Sequence, residues 1–265
     1  MKYPRVVAWL RAGPSVRVMA RATAESAVRR AELCLLSPAP PPPQWSSWRS
    51  AAASLGVTAS WQVVADGSCD GVPDALLAEA ARAALVVTDT GSLGVAARSQ
   101  LAQLVDVYVV AKPQVQVLTW LREPAVVVGV PDSPDSTHLV SAAGREAVLR
   151  HRDLIVLHAQ SRAVDVPRHV LERRWLTALP SDNSGAPHPS SRVVVTDRPV
   201  TDALRDHVEA GDVLVVGVHS PCGVLTGNLD ASLLEAPPCD LLLTRAAEHP
   251  AGDTAPSPLG LNLAV

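Results

Sequence analysis

Short unbroken apolar runs alternate with amphipathic stretches along the whole chain. Val126, Val127 and Val128 form one such run, the pattern of a strand covered on both faces. A turn segment of Pro, Asp and Ser follows at 131–136, with good helix N-cap residues at its end. Leu139, Ala142, Ala143, Glu146, Ala147 and Arg150 recur at helical spacing, and a second apolar run occupies 154–157. The same reading predicts strands at 5–10, 33–36, 57–64, 85–87 and 107–110, with helices at 16–31, 45–55, 73–83 and 95–104. Ser46 and Ser47 are candidate caps of the second helix, and Gly56 is its candidate stop. Beyond 157 the pattern predicts helices at 170–176, 200–210 and 231–236, and strands at 193–196, 213–216 and 241–243.

The two halves repeat. An offset of 120 lays Val6, Val7, Pro14, Ala22, Ala27, Val28 and Arg30 on Val126, Val127, Pro134, Ala142, Ala147, Val148 and Arg150. A repeat of this length means two copies of one domain, not a solenoid. Five strands alternating with helices in each copy give an α/β fold: two doubly wound, mostly parallel five-stranded sheets in tandem. The expected organisation is a domain at 1–112, a linker at 113–124, a better-kept domain at 125–245, and a flexible tail at 246–265. The tail carries Pro250, Pro256 and Pro258 with little periodicity. Residues 180–191 read as a loop by composition.

Composition narrows the function. The chain is 48% hydrophobic and 18% charged, with a net charge of -3; this is a globular composition without the basic field nucleic acid would need. No signal peptide or spanning apolar segment is read, so the expectation is a cytoplasmic protein with no membrane partner. Only Lys2 and Lys112 are lysines, and no P-loop is present. Cys34, Cys69, Cys222 and Cys239 form no C-x-x-C pair and the histidines supply no ligand spacing, so no metal site is expected. Lys112 after a fifth strand suggests a phospho-receiver, but the acidic set that fold requires is missing. His219 beside Cys222 suggests a thiolate, and Trp45 with Trp48 a peptide surface; adjacent residues orient poorly for the first, and tryptophans more often cover a sheet face. No nucleophile elbow surrounds Ser220. No catalytic residue is expected.

As an ordered set of pieces, the chain resembles a tandem universal stress protein. Val130-Pro131-Asp132-Ser133-Pro134, Leu157-His158-Ala159, Leu214-Val215-Val216-Gly217 and Pro237-Pro238-Cys239-Asp240-Leu241 lie close to the family's successive segments across 125–245. The match is fainter over 5–111. The resemblance implies the adenine nucleotide α-hydrolase-like fold. It also implies pairing through the last strand, as a homodimer or an intramolecular pseudo-dimer, and ATP as the candidate cofactor. Its implied nucleotide contacts are Val130, Asp132, Ser133, Gly217, Gly223, Gly227 and Ser232 in the second copy, with Gly91 and Gly94 in the first.

The family's signature is G-x2-G-x9-G-[ST], and both copies depart from it. Pro131 and Arg11 stand where the strand-end Asp should be. The second loop has glycines at other spacings, Pro221 removes an amide donor, and Ala231 precedes Ser232. Leu104-Val105 stand where the first copy needs G-[ST]. The expectation is therefore a stress-response regulator with a degenerate nucleotide site and no cofactor. The alternatives left open are an ATP-binding member and a structural dimerisation module.

Overall fold

The computed structural model describes residues 4–11, 15–65, 71–112, 122–130, 136–159, 167–179, 190–218 and 231–245. Among them, strands and helices alternate. The first half runs β1 (Arg5–Trp9), α1 (Val16–Arg29), β2 (Glu32–Ser37), α2 (Trp45–Ser54), β3 (Ala59–Val63), α3 (Asp74–Ala80), β4 (Leu85–Asp89), α4 (Val95–Ala102) and β5 (Val107–Val110). The second runs β6 (Val126–Val130), α5 (Ser136–Arg150), β7 (Leu154–Ala159), α6 (Arg168–Thr177), β8 (Ser191–Thr196), α7 (Val200–His207), β9 (Val213–Val218), α8 (Ala231–Glu235) and β10 (Asp240–Arg245).

Each half is a parallel five-stranded sheet, and the two merge into one sheet ordered β3-β2-β1-β4-β5-β10-β9-β6-β7-β8. The join is antiparallel: Val107, Tyr108 and Val109 face Leu243, Leu242 and Leu241. Every strand near the join is apolar on both faces, because helices cover both. Alternation sends Val6, Ala8 and Leu10 to the face under α1, α2, α5 and α6, and Val7 and Trp9 to the face under α3, α4, α7 and α8. Each of these two cores runs through both halves, so the seam is interior.

The repeat is real, but its offset changes along it. Strand β1 matches β6 at 120, since Val6 heads the pairing with β4 and Val126 the pairing with β9. The helices match at 121: buried Val18, Met19, Ala22, Glu25 and Ser26 correspond to Leu139, Val140, Ala143, Glu146 and Ala147. The second copy carries one more residue between strand and helix. This corrects the single offset of 120, which put Arg30 on Arg150 where Arg29 belongs. Both helices end alike: Arg30 and His151 take left-handed φ of 50° and 51°. Ala31 N then donates to Ser26 O, and Arg152 N to Ala147 O, the reciprocal closure of a Schellman end. Gly56, at φ 75°, closes α2 in the same way. Ser46 and Ser47 do not cap that helix; Gln44 holds the position without a side-chain bond. Cap residues must precede the first helical residue, and both serines lie inside it.

Helices α1 and α5 meet across the seam through four charged side chains. Arg29 Nη2 lies 2.6 Å from Glu146 Oε1, and Arg150 Nη1 lies 2.7 Å from Glu25 Oε1. Within each helix, Arg29 also bonds Glu25 and Arg150 bonds Glu146. Each carboxylate thus faces two guanidiniums, in an arrangement that the pseudo-twofold maps onto itself. Glu25 is 1% exposed and Glu146 8%, so pairing has to replace lost hydration. Burial pulls the Arg150 guanidinium down, and the Glu25 carboxylate more than offsets it, leaving its pKa raised.

The cluster extends to Tyr108 on β5. The guanidiniums of Arg150 and Arg21 lie 5.1 and 5.2 Å from its ring centre, within cation–π range. Its hydroxyl donates to Asp240 Oδ2 at 3.0 Å, which also receives Arg21 Nη2 at 2.8 Å.

Two outcomes follow. Glu25→Ala strands Arg29 and Arg150 without one of their carboxylates, and should cost about 3–5 kcal/mol in urea unfolding. The Tyr108 phenol is pushed well above its ordinary pKa, first by burial and then by the Asp240 carboxylate. A raised pKa gives stability that is present below the unfolded tyrosine value, about 10, and is lost as pH rises through the folded one. Phenolate absorbance of the native protein minus that of Tyr108→Phe should stay flat through that pH and rise only with unfolding. A difference that titrates near the ordinary value in folded protein would contradict the burial argument.

Candidate functional site

In an open parallel sheet, ligands bind outside the carboxyl ends of the strands where the winding reverses. Here those points lie between β1 and β4 in the first half and between β6 and β9 in the second. Antiparallel joining places the two at opposite edges of the sheet.

In the first half, side chains at the end of β1 pack into the two cores beside the reversal point. Ala8 pairs with Val87, which sets Trp9 beside Thr88 on the next rung. Trp9 is fully buried in the α3/α4 core, and Leu10, 1% exposed, sits in the α1/α2 core. Leu10 N donates to Leu36 O at 3.0 Å, and Leu10 O accepts from Ser37 Oγ at 2.9 Å. The chain leaving β1 is thereby tied to β2.

The loop after β4 has the amides a phosphate would seek, and its own acid holds them. Asp89 Oδ1 accepts from Gly91 N at 2.9 Å and from Ser92 N at 2.7 Å. A carboxylate on convergent amides occupies the seat of an exogenous anion. Neither predicted glycine is required by space: a Cβ on Gly91 would lie 3.5 Å from Asp89 Oδ1, and one on Gly94 would meet nothing within 4 Å. Gly94 opens α4.

One turn into α4 stands Arg98, a residue the sequence reading did not single out. It is 2% exposed, and its Nη2 donates to Leu234 O of α8 at 3.0 Å. Burial lowers its pKa, while the Asp89 and Glu235 carboxylates act the other way. Arg98 therefore bridges this loop to the second half on the face opposite the α1–α5 cluster. Trp9 Nε1, Thr88 Oγ1, Thr90 Oγ1 and Arg98 Nη1 are buried polar atoms without a hydrogen-bond partner among the described residues.

In the second half, Val130 and Gly217 come together. Val128 pairs with Val215, so the two residues lie in step near the carboxyl ends of neighbouring strands. Val130 is fully buried in the core. Gly217 is a strand residue opposite Thr244, because β9 continues to Val218 along β10; the predicted strand stopped at 216, with Gly217 opening a loop. Ser232 lies on α8, where its Oγ accepts from Arg205 Nη2 at 2.6 Å. Asp132, Ser133, Gly223 and Gly227 lie outside the described residues, as do Pro131, His219, Pro221 and Cys222. At the place equivalent to Trp9, Gly129 lets α7 approach: a Cβ there would lie 3.0 Å from both Val200 and Leu204. The two halves fill the same space by different means.

Two surface pockets lie elsewhere. One of about 500 Å³ adjoins Arg49, Gly56 and Ala59 at the amino end of β3, and one of about 320 Å³ adjoins Arg122, Asp153 and Arg192 at the amino ends of β6–β8. Among the described residues there is no cluster of metal-ligating side chains and no helix long and apolar enough to cross a membrane. Burial raises the thiol pKa of Cys34 and Cys239, keeping them protonated and inert.

No protein-family model matches the chain, and no curated protein does. Solved structures do. A protein assigned to the universal stress proteins from Pseudomonas aeruginosa UCBPP-PA14 is similar over 92% of this chain and 94% of its own, with TM-score 0.58 and 14% identity. A universal stress protein from Archaeoglobus fulgidus DSM 4304 is similar over 91% of this chain and 98% of its own, with TM-score 0.57 and 11% identity. The chain shares the fold of these universal stress proteins. The cytoplasmic domain of a prokaryotic cation chloride cotransporter shares it, with TM-score 0.53, 12% identity, and 92% and 96% of the two chains covered. The universal stress fold therefore serves more than one kind of protein.

If Trp9 packs the reversal point as a core residue, Trp9→Ala should cost about 3–5 kcal/mol in denaturant unfolding, as for a large buried aromatic. A loss under about 1 kcal/mol would instead indicate an open crevice there.

Proposed function

We propose that this protein is a non-enzymatic stress-response regulator of the universal stress type, working in the cytoplasm through protein contacts, with a degenerate nucleotide site. The observation that carries the reading is the Asp89 carboxylate on the Gly91 and Ser92 amides. A polyphosphate brought to those amides would have to expel an anion that is part of the chain, and like charges oppose the exchange. Trp9 beside Thr88 supports the same reading, since an adenine at this corner would compete with a packed indole. The fold likeness supports the family, and the pairing of β5 with β10 supports a chain that acts as a self-contained pair.

A second reading is a nucleotide-binding member with slow or no hydrolysis. It is favoured by the unpartnered polar atoms of Trp9, Thr88, Thr90 and Arg98, which are costly to bury alone. Acid release from freshly purified protein, followed by mass spectrometry, separates the two. The first reading expects no stoichiometric nucleotide and no thermal shift with millimolar Mg-ATP. Retained adenine nucleotide near one per chain would establish the second, because a ligand bound only by the native state must stabilise it.

A further inference from the structure

Among the described residues the sheet has two outer strands, β3 and β8; β8 carries a charge on Arg192, whereas β3 carries none. Leu33 N donates to Thr58 O, and Val64 N donates to Ser37 O. Parallel pairing uses every second residue of a strand, so Thr58, Ser60, Gln62 and Val64 face β2. Ala59, Trp61 and Val63 then turn their N–H and C=O groups outward, where the described residues supply no further strand. The usual protections of such an edge are missing: β3 reads Ala-Ser-Trp-Gln-Val, with no charge, no proline and five residues in extended pairing. The neighbouring surface is apolar as well. Val63 is 60% exposed and Leu55, at the end of α2, 62%. On the same face, Trp61 meets Trp45 edge-on at 5.3 Å, with Trp48 stacked behind at 5.2 Å.

The last seven residues are the exception to the tail's weak periodicity and carry the complementary pattern. Leu259, Leu261, Leu263 and Val265 alternate with Gly260, Asn262 and Ala264. This is the period of a half-buried strand, and the segment carries no charged side chain. It belongs to the tail, 246–265, which lies outside the described residues. Strand β10 ends at Arg245, at the edge of the sheet where β3 begins, since the halves run antiparallel. The new position beyond β3 is six strand spacings from β10, about 29 Å. The thirteen residues 246–258 can extend to about 43 Å, which is enough.

We propose that residues 259–265 pair with the outer edge of β3 in the same chain, as an eleventh strand. Trp61 and Val63 would exchange backbone hydrogen bonds with it. One face of the added strand would lay leucines against Val63, Leu55 and the tryptophan cluster. The contact would satisfy an edge that otherwise templates association with other chains.

Amide hydrogen exchange, read by NMR on the full chain, tests this. Trp61 and Val63 amides should be protected, and the double variant Leu261→Pro, Leu263→Pro should lose at least tenfold of that protection while Leu35 on β2 is unchanged. An unchanged Leu35 certifies the fold. Equal exchange at Trp61 and Val63 in the two proteins would overturn the proposal. Protection that grows with protein concentration would place the segment on a second copy and overturn the same-chain pairing.

Discussion

Four buried charges that only each other can satisfy hold the two halves in one arrangement. Glu25 and Arg29 from α1 meet Glu146 and Arg150 from α5, and each carboxylate takes a guanidinium from its own helix and one from the other. Separating the halves would break the two inter-helix pairs and leave only the pair within each helix. Such a cluster is a weak source of net stability, since the cost of burying the charges offsets much of what their pairing returns. Tyr108 and Asp240 carry the constraint into the β5–β10 seam, and Arg98 carries it to the opposite face. The antiparallel join then follows as the geometry in which equivalent helices can face one another.

That arrangement has a cost for ligand binding. Fixing the seam puts the two winding-reversal points at opposite edges, so each half has to build its own site. In the first half Trp9 and Leu10 are buried on the two faces at the end of β1, and Asp89 accepts from two amides of its own loop. In the second half Gly129 makes room for α7 where the first half places an indole. A duplicated scaffold can thus keep its strand order while the crevice diverges, since packing density constrains volume more tightly than identity. Similarity to both universal stress proteins and a transporter domain fits that separation of scaffold from site.

The sequence by itself determined the element order, the duplication and the layer architecture. Valine-rich runs such as 126–128 have few alternatives to a strand buried on both faces, and the helix periodicities between them are long enough to read. It also displayed the departures at Pro131, Arg11 and the glycine spacings, because these are local. Where local signals were degenerate, it misplaced details. An alanine-rich helix matches a shifted copy of itself almost as well as the true one, which hid the change of offset from 120 to 121. Gly217 looked like the start of a loop until the pairing of β9 with β10 extended the strand through it.

Only the tertiary structure decided which charges meet. Glu25 and Arg150 are 125 residues apart, and nothing in either neighbourhood marks them among the chain's many acids and arginines. Their roles arise from the seam, which sets α1 against α5. The same holds for Asp89, whose carboxylate accepts from two amides of its own loop, and for Trp9, which is buried in the core beneath α3 and α4. Secondary structure follows from short-range periodicity written into neighbouring residues. Charge pairing and the filling of a crevice depend on distances that exist only after the chain has folded.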